Sequence, residues 1–416
     1  MWSDFFLACN LALSSTLDLE FNILEIENLT PPQLLTSTFK PLLKNENDVL
    51  KNDYELLINL NHSDVVKSLL PKISCKKISG LIDIDQGLIQ GRWAQTFFTQ
   101  LATNRFAPFS AFDLFYNCIV GQRPKLPSLH DQKRKKIYID LKSISNDYID
   151  PSILQGLAKN YFQIVTDVKT VEEFEQIKWY IGSDIEEMKL ANFYGADCIS
   201  LAQLSRDLLD APLSHAYILN HPFEMNQFES LLAGQNTECD EWTNEFSGGV
   251  FYKSVNNTYN IDTLFQALDY IVFNFINSMI DIHLPSIKVR KEDELNLKNH
   301  INLLQKIKHL NLFAIKEIHS LLNSFEQNTI TDEGYHNITA KLSEIDELTE
   351  KTLSGFQSLD FINFYFKLSK TSAPGENLIE IAKSLILTYH DYNQVIDVYD
   401  DLANQLIKGA AHEGNL

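Results

Sequence analysis

The sequence predicts an α/β chain that ends in a helical bundle. Three observations lead there. Helical and strand-like patterns alternate up to about residue 260, a proline-bearing basic break interrupts them between residues 122 and 137, and strand patterns stop from Asp262 onward. The expected domains are therefore 1–122, 137–260 and 261–416.

In the first segment, Phe5 to Leu13 reads as a helix, Phe21 to Ile26 as a strand and Glu55 to Asn59 as a second strand bounded by polar residues. Such alternation is the sequence pattern of a parallel βαβ sheet. Pro124, Pro127 and the run Lys133-Arg134-Lys135-Lys136 then mark an exposed linker, with the basic run expected to be solvated. Beyond it, Ile137 to Leu141 is a strand, Pro151 to Lys159 a helix and Tyr161 to Asp167 a strand. Val171 to Ile177 is a helix, and Trp179 to Ile181 and Cys198 to Leu201 are strands joined by another helix.

The last segment carries three apolar stripes at helical spacing. One runs from Leu297 through Ile307 and Ile318 to Phe325. A second follows an N-cap at Thr331 or Asp332, and a third, past Ala373-Pro374-Gly375, carries Ile386, Tyr389, Ile396, Tyr399 and Leu406. Three long antiparallel helices are expected. Phe361, Phe364, Tyr365 and Phe366 are too closely spaced to share one helical seam, which points to a second contact surface. It would meet the α/β part of the chain, a second copy or a protein partner through residues 290–416.

Composition excludes several classes. The 416 residues hold 35 Lys+Arg against 55 Asp+Glu, a formal charge of −20 that opposes sequence-independent binding to nucleic acid. Five widely separated cysteines without a CxxC pair suggest neither a disulfide framework nor a structural zinc, and fit a reducing cytoplasm. His215, His221 and Cys239 match no zinc spacing. The apolar start lacks a basic n-region and carries Asp4, and Leu268 to Leu284 is broken by several polar residues, so neither a signal peptide nor a membrane span is expected. No phosphate-binding glycine loop is present, and no cofactor is implied.

One family resemblance rests on several loose patterns in order. Tyr54 to Ile73 (YELLINLNHSDVVKSLLPKI) is followed by Lys76 to Leu81 (KKISGL) and by Gly91 to Gly121 (GRWAQTFFTQLATNRFAPFSAFDLFYNCIVG). Farther on come Trp179-Tyr180-Ile181-Gly182-Ser183-Asp184, Lys189-Leu190-Ala191, Gly195 and Cys198 to Leu201. Together they resemble glycosyltransferase family 9, the ADP-heptose:lipopolysaccharide heptosyltransferases and their relatives, over roughly residues 1 to 255.

The resemblance implies a GT-B-like pair of Rossmann-like domains followed by the helical bundle, and an inverting transfer of a heptose-like sugar from a nucleotide-sugar to a surface glycan or protein. It implies Asp4 as the base that deprotonates the acceptor. The family's first strand has no counterpart before Asp4, so another segment replaces it or the start lies upstream. Asn61, His62, Arg92, Gln95, Asn104 and Arg105 would line the acceptor side, and Gly182, Asp184 and Lys189 the donor side. Each has a plainer reading: a helix-start carboxylate for Asp4, a loop cap for Asn61 and His62, surface pairing for the arginines, and an exposed helix start for Asp184 and Lys189.

The donor motif departs from the family. Ile185, Glu186, Glu187 and Lys189 stand where small polar residues, Gly, Pro and His would face a diphosphate. A carboxylate about 4 Å from a phosphate costs on the order of 4 kcal/mol at an effective dielectric near 20. The alternative expectation is thus a catalytically inactive relative acting as a scaffold or partner-binding protein through its helical bundle.

Overall fold

A computed structural model describes residues 2–15, 20–25, 31–103, 109–121, 134–144, 150–201, 215–219, 225–233, 240–243, 251–253, 261–278, 289, 291–327, 329, 331–375 and 377–413. Its strands are β1 (Ile23–Leu24), β2 (Leu43–Lys44), β3 (Asp53–Asn59), β4 (Ser74–Asp83), β5 (Leu88–Gln90), β6 (Lys136–Ile139), β7 (Gln163–Val165), β8 (Ile177–Gly182), β9 (Asp197–Ser200), β10 (His215–Ile218), β11 (Asp240–Thr243) and β12 (Phe251–Lys253). The chain divides into two compact units. One comprises residues 1–58, 63–77 and 106–259, the other residues 59–62, 78–105 and 260–416.

The first unit is built on a seven-stranded sheet of order β12-β11-β10-β9-β8-β6-β7. Strands β6 to β10 pair in parallel, and β11 and β12 add an antiparallel edge. Counted among themselves, the five parallel strands run 2-1-3-4-5, a doubly wound order. Both faces are covered, so Ile137–Ile139 of β6 and Trp179–Ile181 of β8 are apolar in succession rather than alternating. Ile137, Ile139, Trp179 and Ile181 join Leu154 and Ala158 of the helix Pro151–Ala158 and Phe228 and Leu231 of the helix Met225–Leu232 in one core. On the same strands, Tyr138 meets Phe174 at a ring separation of 6.1 Å and Tyr180 at 5.4 Å.

The N-terminal helix Trp2–Ser15 belongs to this unit. Phe6, Leu7, Ala8, Cys9 and Ala12 are all buried, so its apolar side chains form core. Its rings pack on the helix Ala111–Val120, with Phe5 and Phe115 5.4 Å apart, and on Phe39 at 4.9 Å from Phe6. The basic run is not simply solvated. Arg134 is half-buried and donates to the carbonyls of Ile177 and Tyr194 at 3.1 and 2.8 Å, tying the start of β6 to β8 and to the end of the following helix. Residues 122–133 lie outside the described residues.

The expected parallel sheet over 1–122 takes another form. β1 and β2 make a two-stranded parallel pair, while β3, β4 and β5 form a separate sheet in which β4 and β5 are antiparallel. The connection from Asp83 to Leu88 is a tight hairpin, too short for the crossover a parallel pair requires. Among the described residues, one sheet is doubly wound.

In the second unit, Leu81, Ile89 and Ala94 form a small core, with Leu60, Phe98 and Leu368 against it. Its helices are Arg92–Ala102, Ile261–Ser278, Lys291–Glu326, Asp332–Leu353, Asp360–Thr371 and Leu378–Glu413. The first, second and fifth of these go beyond the three-stripe expectation. Thr331 caps Asp332–Leu353 by accepting from the Gly334 amide at 3.0 Å. The two longest helices run antiparallel: Gln305 reaches Asp400 at 3.0 Å, Lys308 pairs with Asp397, and buried Asn311 donates to Asn393 at 3.0 Å.

Three of the four clustered aromatics face inward. Phe361, Tyr365 and Phe366 are buried, Phe273 sits 4.9 and 4.7 Å from the first two, and Phe366 stacks on Tyr392 at 3.9 Å. The short helix Asp360–Thr371 is surrounded by its own unit, so its multi-sided aromatic character is satisfied there. Phe364, the fourth of these aromatics, is half-buried.

Gly80 has φ +101°, and a Cβ there would lie 1.9 Å from the Asn59 carbonyl oxygen. Replacement by alanine adds both backbone strain and a backbone clash. Gly80→Ala is expected to destabilise the protein by at least about 2 kcal/mol in urea unfolding, the scale of a strained backbone position.

Candidate functional site

In a doubly wound sheet, ligands bind outside the carboxyl ends of the strands where the order reverses. Here that place is between β6 and β8, the strands that flank the reversal. The segment after β6 is Asp140 to Ser143, and the segment after β8 is Ser183 and Asp184, leading into the helix Ile185–Phe193.

The two segments are tied together. Asp140 donates its amide to the Ile181 carbonyl at 2.9 Å, and the Ser183 amide donates to Ser143 Oγ at 2.8 Å. The buried Tyr180 hydroxyl lies 3.0 Å from the Asp184 carbonyl oxygen and 3.4 Å from Asp140 Oδ2, donating across both. Gly182 is needed for this fit: a Cβ there would sit 2.5 Å from the Tyr180 hydroxyl and 2.9 Å from Ser143 Oγ. Burial, followed by Asp140 and Asp184, holds the Tyr180 phenol well above its ordinary value, so it stays a proton donor.

Asp184 is the N-cap of the next helix. Its carboxylate accepts from the amides of Glu186 and Glu187 at 2.9 and 3.1 Å, the groups an incoming phosphate would otherwise use. Glu187 is pushed up to about 7, first by burial and then by Asp184 and Asp140, with Lys142 opposing and Asp167 adding to the rise. The reversal point is therefore lined with acid rather than with free amides.

Lys189 and Asp4 meet elsewhere in the same unit. Lys189 Nζ lies 2.8 Å from Asp4 Oδ2, with side-chain exposures of 5% and 1%, and 3.1 Å from Glu186. Burial acts to lower the ammonium, but Asp4 and Glu186 outweigh it and hold Lys189 above the ordinary lysine value. The residue expected as the base and one expected at the donor are thus each other's partners.

The acceptor-side residues fall in the second unit. Arg92 donates to the Ile276 carbonyl at 2.7 Å and pairs with Asp391 at 2.8 Å. Gln95 donates to the Ile89 carbonyl at 3.1 Å and accepts from Ser369 at 2.9 Å. The Asn61 amide donates to Asn59 Oδ1 at 3.0 Å, His62 is exposed, and Asn104 and Arg105 lie outside the described residues. Trp93 is buried. Of the expected residues, only Gly182 and Asp184 come to the reversal point. Asp140, Ser143, Tyr180 and Glu187 complete it. The signal for Asp140, Ser143 and Tyr180 was positional, since they lie near the ends of β6 and β8, while Glu187 stands in the first turn of the helix that follows.

No group of three or more His, Cys, Asp or Glu side chains among the described residues could hold a metal ion, and no helix among them is long and apolar enough to cross a membrane. Comparisons with protein families, with curated proteins and with solved structures find no match to this chain.

Because Glu187 in the folded chain keeps its proton well above its ordinary value of 4.5, the fold binds more protons than the unfolded chain between 4.5 and about 7. That contribution favours the fold at low pH and is lost as pH rises through the folded value. Glu187→Gln is expected to raise the melting temperature at about pH 8 and to leave it unchanged near pH 4.5, which a pair of thermal melts checks.

Proposed function

We propose that this chain is a relative of GT-B glycosyltransferases that does not transfer sugar, and that it acts as a scaffold. The observation that carries this reading is the buried Asp4–Lys189 pair. A general base must come within hydrogen-bond reach of the hydroxyl it deprotonates. Asp4 is 1% exposed and bound to a lysine, so it reaches an acceptor only if the N-terminal helix leaves its place. The donor side argues the same way: Asp184 occupies amides of its own helix, and Glu186 and Glu187 stand where a diphosphate needs neutral or positive groups.

The doubly wound strand order and the location of Gly182 and Asp184 at its reversal favour the second reading, a working inverting transferase. The two separate by direct binding. Calorimetric titration with ADP-, GDP-, UDP- and CDP-sugars is expected to give no saturable heat up to about 1 mM, the level at which binding falls to roughly 4 kcal/mol. A micromolar dissociation constant for any one of them would overturn the scaffold reading and restore the transferase.

A further inference from the structure

We propose that Ser358 and His300 form a reactive pair in the second unit, a serine nucleophile and its imidazole base, that takes the acyl group of an apolar ester. His300 lies on the helix Lys291–Glu326, and its Nδ1 is 2.6 Å from the Asn296 carbonyl oxygen one turn earlier. A carbonyl only accepts, so Nδ1 carries the proton. That leaves Nε2 as the acceptor, and Ser358 Oγ stands 2.5 Å from it. Nucleophile, base and a third group that fixes the base's tautomer are the parts that activate a serine hydroxyl.

The surroundings set the substrate class. The imidazole is walled by Phe265 at 4.6 Å and Phe356 at 5.1 Å between ring centroids, and neither His300 nor Ser358 is more than 9% exposed. Aromatic walls select an apolar acyl group. Phe356 is itself half-buried and sits in the turn two residues before Ser358, so it is the side chain whose displacement opens the pair.

In the reaction, Ser358 Oγ bonds to the ester carbonyl carbon as its proton passes to His300 Nε2. The carbon–alkoxy bond then breaks, and the leaving alkoxide takes that proton and departs as the alcohol. Water, losing a proton to Nε2, attacks the acyl-serine ester, and the acid is released as Ser358 recovers its proton. The sum is ester plus water to acid plus alcohol, with no other reactant.

The test is labelling of the full chain by an alkyl fluorophosphonate, in which Ser358 Oγ bonds to phosphorus and fluoride leaves, read by intact mass and peptide mapping. Wild type is expected to gain one adduct on Ser358, Ser358→Ala to gain none there, and His300→Gln to slow labelling at least about 100-fold, the scale of a lost general base. Phe356→Ala is expected to speed it. The wild-type rate is expected to rise with pH to a plateau as the imidazole loses its proton, a readout that needs no variant. Absence of an adduct at Ser358 in both wild type and Phe356→Ala would overturn the proposal. So would a labelling rate proportional to hydroxide without a plateau.

Discussion

The buried ion pair between Asp4 and Lys189 is the interaction on which the first unit depends. Two charges taken out of water are tolerable only together, because removal of either leaves an uncompensated charge in the interior. The pair therefore fixes the N-terminal helix Trp2–Ser15 against the helix Ile185–Phe193, whose start forms one side of the sheet's reversal point. Phe112 and Phe193, 5.9 Å apart, close the same face with the helix Ala111–Val120. The geometry that holds the acid-lined strand ends in place thus engages the Asp4 carboxylate with Lys189.

The second unit is held by a different kind of contact. The hairpin strand β5 and the helix Arg92–Ala102 join the C-terminal helices through polar ties that leave few partners open. The Ile89 amide donates to Ser372 Oγ at 2.9 Å, Asn277 donates to Thr96 at 2.8 Å, and Tyr365 donates to Asn277 at 3.3 Å. Arg92 covers the Ile276 carbonyl near the end of the helix Ile261–Ser278, as cations do at helix ends. Its pair with Asp391 is half-exposed and adds little by itself. Arg92 and Gln95, expected on an acceptor side, here tie the helix Arg92–Ala102 to its neighbours in this unit.

Strands β6 to β9 of the doubly wound sheet and the long helices were legible because their signals are local, whereas the strand order and β10 to β12 were not read. β6 and β8 are short apolar runs bounded by polar residues, and the longest helices repeat an apolar stripe over many turns. The pairing of strands in the first segment was not legible, since β3 and β4 are largely exposed over their first halves and carry no burial pattern to fix a partner. Gly182 and Asp184 could be placed at a strand end from sequence alone. That Lys189 points to Asp4, 185 residues away, and that Ser358 meets His300, 58 residues away, follows only from the fold.

A double-mutant cycle on Asp4 and Lys189, followed by urea unfolding, tests the central claim most directly. The account predicts that Asp4→Leu and Lys189→Met each cost about 3 to 5 kcal/mol and that the two together cost far less than their sum, because no buried charge is then left unpaired. Single costs below about 1 kcal/mol that add in the double variant are the behaviour of an exposed pair, and would contradict it.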